Sequence, residues 1–175
     1  EVFDVVNSVG SSLTDKGVCE EIGIYEIDSY KHETACEVSA FSGCSVLVRK
    51  EVFEELSGFD TAFFAYYEDT DLSWRIKKMG GRMFYEPKSI VRHHCSSTSL
   101  KQSAFFYFQI YRNMRWNVAK NAPFRIAVAL FFREFCSGLT GTLVFDSEYS
   151  AKRLKRETLS GMLKYLLRRI FVPNQ

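Results

Sequence analysis

A chain of 175 residues, 46% hydrophobic and 15% aromatic, has enough apolar surface for one sizeable core and a small appendage. Its formal net charge of +2 is too small for the whole chain to bind nucleic acid or an acidic polymer, so any basic preference must be local, and only the C-terminal region clusters cations. Five widely spaced cysteines (Cys19, Cys36, Cys44, Cys95, Cys136) without a Cys-x-x-Cys pair suggest neither a disulfide framework nor a zinc knuckle. A reducing compartment is the simpler reading, with the thiols expected to serve as small core hydrophobes.

The opening EVFDVVNSVG has no basic region followed by an apolar core, so it does not read as a signal peptide, and a first residue Glu1 suggests a start within a longer protein. Residues 1–37 are punctuated by Gly, Ser and Asp and predict loops and short edge strands. Residues 38–49 (VSAFSGCSVLVR) predict a strand, and KEVFEEL a short helix stopped by Gly58. After Gly58-Phe59-Asp60 comes an aromatic loop with Phe63, Phe64, Tyr66 and Tyr67. A helix over 69–79 follows, with Leu72, Ile76 and Met79 at helical spacing before Gly80-Gly81.

RMFYEPKSIVRHH predicts a strand, a break at Pro87, and a second strand ending in His93 and His94. A long aromatic helix over 100–121 precedes Pro123, and a second helix follows it. Its longest apolar stretch, 126–132, is cut by Arg133 and Glu134 and is far short of the roughly 20 residues that span a bilayer, so no membrane-spanning helix is expected. Last comes a basic amphipathic helix. Leu159, Met162, Leu163, Leu166, Leu167 and Ile170 form one face, with Lys152, Arg153, Lys155, Arg156, Lys164, Arg168 and Arg169 on the polar side.

Three carboxylates, Glu68, Asp69 and Asp71, fall within four positions directly after the aromatic run. Such crowding costs repulsion, which a helix N-terminus partly offsets through its dipole and free N–H groups. One reading is a cap at Asp69 with an Asp71–Arg75 pair at i,i+4. The other is a site that needs a carboxylate for acid–base work.

The order of motifs favours the second. From residue 41 to 99 the text runs small residue–Gly, Arg, Gly-Phe-Asp, Phe-Phe, Glu-Asp-x-Asp-Leu, Arg, Gly-Gly, Pro, His. It resembles the C-terminal half of the family 2 glycosyltransferases, in particular the bacterial rhamnosyltransferase-like members. Residues 10–28, with GVCEEIGIYEID, and Tyr111-Arg112-Asn113 extend the resemblance more loosely.

The resemblance implies an α/β architecture: the acceptor-side half of a GT-A fold over 1–100, with a helical C-terminal extension over 101–175. It implies inverting transfer from a nucleotide-sugar donor to a hydroxyl of a glycan or lipid-linked acceptor, in polysaccharide, O-antigen or other cell-surface glycan synthesis. The aspartate of the Glu-Asp pair, Asp69, takes the base role, with Glu68 shaping the site. Asp71, Trp74 and Gly43 are expected at the acceptor and Arg75 at the diphosphate, though Trp74 also reads as a core anchor and Arg75 as the partner of Asp71. A divalent cation, Mg2+ or Mn2+, would steady the leaving diphosphate, with His93 as a ligand and His94 as the weaker candidate. Without metal, His93 is an ordinary strand-end histidine.

The chain departs from the family in one respect: no Asp-x-Asp precedes the acidic cluster, and Glu26-Ile27-Asp28 lies too close to it in the chain to substitute. The donor side is therefore expected elsewhere, and these 175 residues alone are expected to transfer nothing. A cytoplasmic location is expected, peripheral at the inner membrane through the basic helix, with docking of that helix on protein as the alternative. Two other functions compete. One is a non-catalytic carbohydrate- or partner-binding domain that keeps the glycosyltransferase shape. The other is a glycoside hydrolase, disfavoured because its two carboxyls must flank the sugar about 5 Å or more apart, whereas adjacent residues point in different directions.

Overall fold

The computed structural model describes residues 4–14, 16–93, 103–137 and 149–172. These fall into two compact units, one within Glu1–Thr14, Val18–Phe64 and Glu68–Cys95, the other within Asp15–Gly17, Ala65–Tyr67 and Ser96–Gln175.

In the first unit, β1 (Ser11–Leu13) pairs antiparallel with β2 (Cys19–Glu21), Ser11 opposite Glu21. Along β1 the burial alternates, with Ser11 and Leu13 inward, as the two-residue period of a strand requires. The buried Ser11 hydroxyl donates to Glu21 Oε2 at 3.0 Å. A second antiparallel pair joins β3 (Cys36–Val38) to β4 (Met83–Tyr85), with Cys36 opposite Tyr85.

Helix α1 (Lys50–Glu55) buries no residue. It is stopped by Gly58, whose φ is +65° and where a Cβ would stand a tight 3.0 Å from the Phe53 ring. Helix α2 (Glu68–Lys78) is the opposite case: Thr70, Asp71, Leu72, Ser73, Trp74 and Ile76 are all buried. Leu72, Trp74 and Ile76 join Leu13, Val38 and Phe63 in the core, each such side chain contributing about 1.5–3 kcal/mol on burial.

Two predicted strands do not form. Residues 40–49 carry no regular strand, because their backbone donors are used elsewhere: Ala40 N on Ser11 O, Phe41 N on Ser73 Oγ, and Gly43 N on Asp69. Residues 89–93 also lack a strand. Ser89 N closes a turn onto Glu86 O, and Ile90 and Val91 stand exposed without a partner strand to cover them. The cysteine expectation is corrected too. Among the described residues Cys36, Cys44 and Cys136 are exposed, and only Cys19 is half-buried, where burial pushes its thiol pKa up.

The second unit is helical. α3 (Ala104–Asn121) starts at Ser103, whose hydroxyl accepts from Phe106 N at 3.1 Å, a side-chain cap for an otherwise orphaned donor. α4 (Phe124–Cys136) follows Pro123, and α5 (Ala151–Phe171) starts at the capping Ser150. Phe108, Val118, Leu154, Met162 and Leu166 are buried in its core. α5 meets α3 at Gly161, where a Cβ would stand 2.1 Å from the Trp116 ring. The Trp116 indole N–H donates to Glu157 O at 3.2 Å and Thr158 O at 3.1 Å.

Candidate active site

The chain reaches α2 through a strained approach. Phe64, Tyr66 and Tyr67 have φ of 62°, 66° and 69°, a left-handed region that costs a non-glycine residue of order 1–3 kcal/mol and recurs at functional sites. The Asn113 side-chain amide, itself fully buried, donates to Ala65 O at 2.8 Å and Tyr66 O at 2.7 Å. Its Oδ1 accepts from Arg112 Nε at 3.0 Å, and Arg112 reaches Glu157 at 3.1 Å. The Arg-Asn pair was legible only through the family pattern, and the left-handed aromatics gave no sequence signal, since nothing in Phe-Tyr-Tyr favours positive φ.

Asp69 lies in the first turn of α2 and is half-buried. Oδ2 accepts from Gly43 N at 2.8 Å. Oδ1 accepts from Thr70 N at 2.6 Å and Thr70 Oγ1 at 3.3 Å. A Cβ at Gly43 would sit 3.3 Å from Asp69 Cβ and 3.4 Å from Oδ2, so a glycine lets the backbone approach the carboxylate closely. Each carboxylate oxygen has about two lone-pair sites, so Oδ2 keeps acceptor capacity beyond its bond to Gly43.

Glu68 is placed differently. Its Oε2 is buried with no hydrogen-bond partner among the described residues. Burial raises the carboxyl pKa, a bond to its own backbone lowers it in part, and the Asp69 charge raises it further. Two neighbouring carboxylates thus occupy unlike environments, one held by N–H groups and the other driven toward its neutral form.

Three residues expected to face substrate turn inward instead. Asp71 is fully buried and paired with Arg75 at 2.8 Å. Arg75 Nη1 donates to Leu56 O at 2.7 Å and Nη2 to Gly58 O at 2.8 Å, so its guanidinium ties α2 to the turn after α1 and has no donor set aimed outward. Trp74 is only 6% exposed and is a core anchor. The middle of α2, Thr70 to Trp74 with Ile76, is buried, which covers Asp71 and Trp74 and leaves Arg75 only partly exposed. Of the aromatics ahead of α2, Phe63 is buried and Phe64 is 78% exposed.

His93 is exposed at the end of the described stretch, and His94 lies outside the described residues. Among the described residues no three His, Cys, Asp or Glu side chains are grouped so as to hold a metal ion. Among the described residues, the cation expected with His93 finds no three-ligand group.

The family model described as Glycosyltransferase like family 2 matches residues 10–119. Proteins named N-acetylglucosaminyl-diphospho-decaprenol L-rhamnosyltransferase, from Mycobacterium tuberculosis strains CDC 1551 / Oshkosh and ATCC 25618 / H37Rv, are each 42% identical to the chain over 57 residues. That match covers 33% of this chain and 19% of each relative. No solved structure matches the chain significantly. The mixture of helices and short antiparallel pairs is α/β in class and fits part of a GT-A fold. Matched over residues 10–119 of its 175, the chain belongs to family 2 of the glycosyltransferases and is rhamnosyltransferase-like.

Proposed function

We propose that the protein carrying this chain is an inverting glycosyltransferase in which Asp69 is the general base. Asp69 accepts the proton of an acceptor hydroxyl as that oxygen bonds to the anomeric carbon of a nucleotide sugar. The bond from that carbon to the diphosphate breaks on the opposite face, the electron pair leaves with the nucleoside diphosphate, and the configuration inverts.

One observation carries the reading: the half-buried Asp69 carboxylate is held by Gly43 N and Thr70 N at the start of a helix in a chain of this family. That hold fixes the carboxylate before the acceptor arrives, and fixed geometry is a large part of what such a base contributes. Glu68 shapes the site beside it, its carboxyl pKa raised by burial and by the Asp69 charge. The exposed Phe64 ring is suited to stack on a sugar face.

The acceptor in this reading is a glycan or lipid-linked sugar of cell-surface polysaccharide synthesis, met at a cytoplasmic site, a choice that the resemblance supports. The relatives' name, N-acetylglucosaminyl-diphospho-decaprenol L-rhamnosyltransferase, supports the lipid-linked choice. A divalent cation would take His93 as one ligand and its others from beyond the described residues, and would offset the diphosphate charge. The test is Asp69→Asn in the intact enzyme. Transfer should fall about 10²–10⁴-fold, the range that a positioned base contributes, while a binding-only domain would show no change.

A further inference from the structure

Ser73 stands at a position of α2 that an apolar side chain would fill. It is fully buried. Serine is a weaker helix former than alanine, and its hydroxyl costs free energy when buried without a partner. The partner lies outside the helix: Ser73 Oγ accepts from Phe41 N at 3.2 Å. Two residues on, Gly43 N donates to Asp69 Oδ2 at 2.8 Å.

The geometry of α2 relates these two grips. Asp69 and Ser73 are at i and i+4, so their side chains share one face of the helix, about 6 Å apart along its axis. Two residues of chain drawn out at about 3.3 Å each cover the same distance, which brings the amides of Phe41 and Gly43 into step with the two side chains. Ala40 is fixed as well, its N donating to Ser11 O at 3.0 Å and its carbonyl accepting from Ser11 N at 2.8 Å. Ala40 and Ser73 are fully buried, whereas Gly43 is exposed. The segment therefore leaves the core from two anchored residues, Ala40 and Phe41, and delivers one N–H to the carboxylate on its open side.

We propose that Ser73 is a positioning residue for the transfer. By holding Phe41 N it keeps the Gly43 N–H on Asp69 Oδ2, and so fixes the orientation in which that carboxylate meets the acceptor hydroxyl. The proposal rests on the reading of Asp69 as the base. Asp69 Oδ1 is held from within α2, by Thr70 N at 2.6 Å and Thr70 Oγ1 at 3.3 Å. The terminal torsion of an aspartate is soft, so bonds from the next residue alone leave the carboxylate plane loosely set. A donor from elsewhere in the chain, on the other oxygen, sets it, and that donor is the amide next but one to the residue that Ser73 grips. Ser73 itself exchanges no proton with the acceptor.

The test is a double-mutant cycle in the intact enzyme, with the nucleotide sugar and acceptor that the wild type turns over. Ser73→Ala should lower kcat about tenfold and leave the acceptor KM within about twofold. In an Asp69→Asn background the same substitution should change the residual rate less than about twofold, because Ser73 acts through the carboxylate. Tyr85→Phe removes a side-chain bond to His32 O in the same compact unit and should leave transfer at the wild-type rate. The Gly43 amide proton, followed by NMR after 15N-glycine labelling, gives a readout that needs no substrate. It should move with pH in the wild type as the bonded carboxylate ionises, and move much less in Asp69→Asn and in Ser73→Ala. The wild-type and Asp69→Asn arms do not depend on whether Ser73→Ala folds, and a Gly43 amide indifferent to pH in the wild type would overturn the proposal. If Asp69→Asn transfers at the wild-type rate, the base reading falls and this proposal with it. If Asp69→Asn is impaired but Ser73→Ala keeps the wild-type kcat, or costs the same factor in both backgrounds, this proposal alone falls.

Discussion

Asp71 and Asp69 are two residues apart and have opposite fates. Asp69 is half-buried in the first turn, whereas Asp71 is sealed against Arg75. Removing one partner of a buried pair leaves an uncompensated charge and costs about 3–5 kcal/mol. Asp71→Ala should therefore lower the unfolding free energy by about that amount, measured by denaturant titration. Lys50→Ala, which breaks the exposed Lys50–Glu54 pair, should cost under about 1 kcal/mol.

Glu68 gives a pH signature. Its folded pKa lies above its unfolded value because of burial. Its contribution to stability is thus fully present below the unfolded pKa of roughly 4.3 and is lost as pH rises through the folded value. Glu68→Gln, which cannot ionise, should raise the melting temperature relative to wild type at neutral pH, and raise it less near pH 4. Equal differences at both pH values would remove the buried-carboxyl account. At this scale the sequence was partly legible: i,i+4 spacing joined Asp71 to Arg75, but spacing is blind to burial, and burial turned an expected acceptor contact into a clamp.

At the scale of elements, the helices were legible and the strands much less so. The stop signals at Gly58, Gly80 and Pro123 mark real ends, because glycine and proline act on the backbone locally. The stretch 38–49 misled because a strand needs a partner, and here the donors of Phe41 and Gly43 go to Ser73 and Asp69, two side chains of α2. No period in the sequence reports that choice.

Gly161 is a similar long-range case. In sequence it is a weak spot in a helix, worth about 1 kcal/mol against alanine. In the structure it is the gap that admits Trp116. Gly161→Ala should therefore destabilise despite its better helix propensity, since overpacking costs about 1–3 kcal/mol and this contact is severe. Thermal unfolding of that variant beside Ser160→Ala, on the exposed side of the same turn, would check it. A more stable Gly161→Ala would contradict the packing described.

For the whole molecule, the order of motifs carried more than any one of them. A Glu-Asp pair alone fits a helix cap as well as a base. Followed by Leu72, Arg75, Gly80-Gly81, Pro87 and His93, it identified a family that the match over residues 10–119 then showed. Donor recognition was not read from the sequence, where no Asp-x-Asp precedes the acidic cluster.

The central claim rests on Asp69 as a proton acceptor, and single-turnover transfer by Asp69→Asn in the intact enzyme tests it most directly. The variant keeps the size of the side chain and one oxygen able to accept from Gly43 N or Thr70 N. The account predicts a rate reduced about 10²–10⁴-fold with the melting temperature and donor binding preserved. Transfer at the wild-type rate would contradict it.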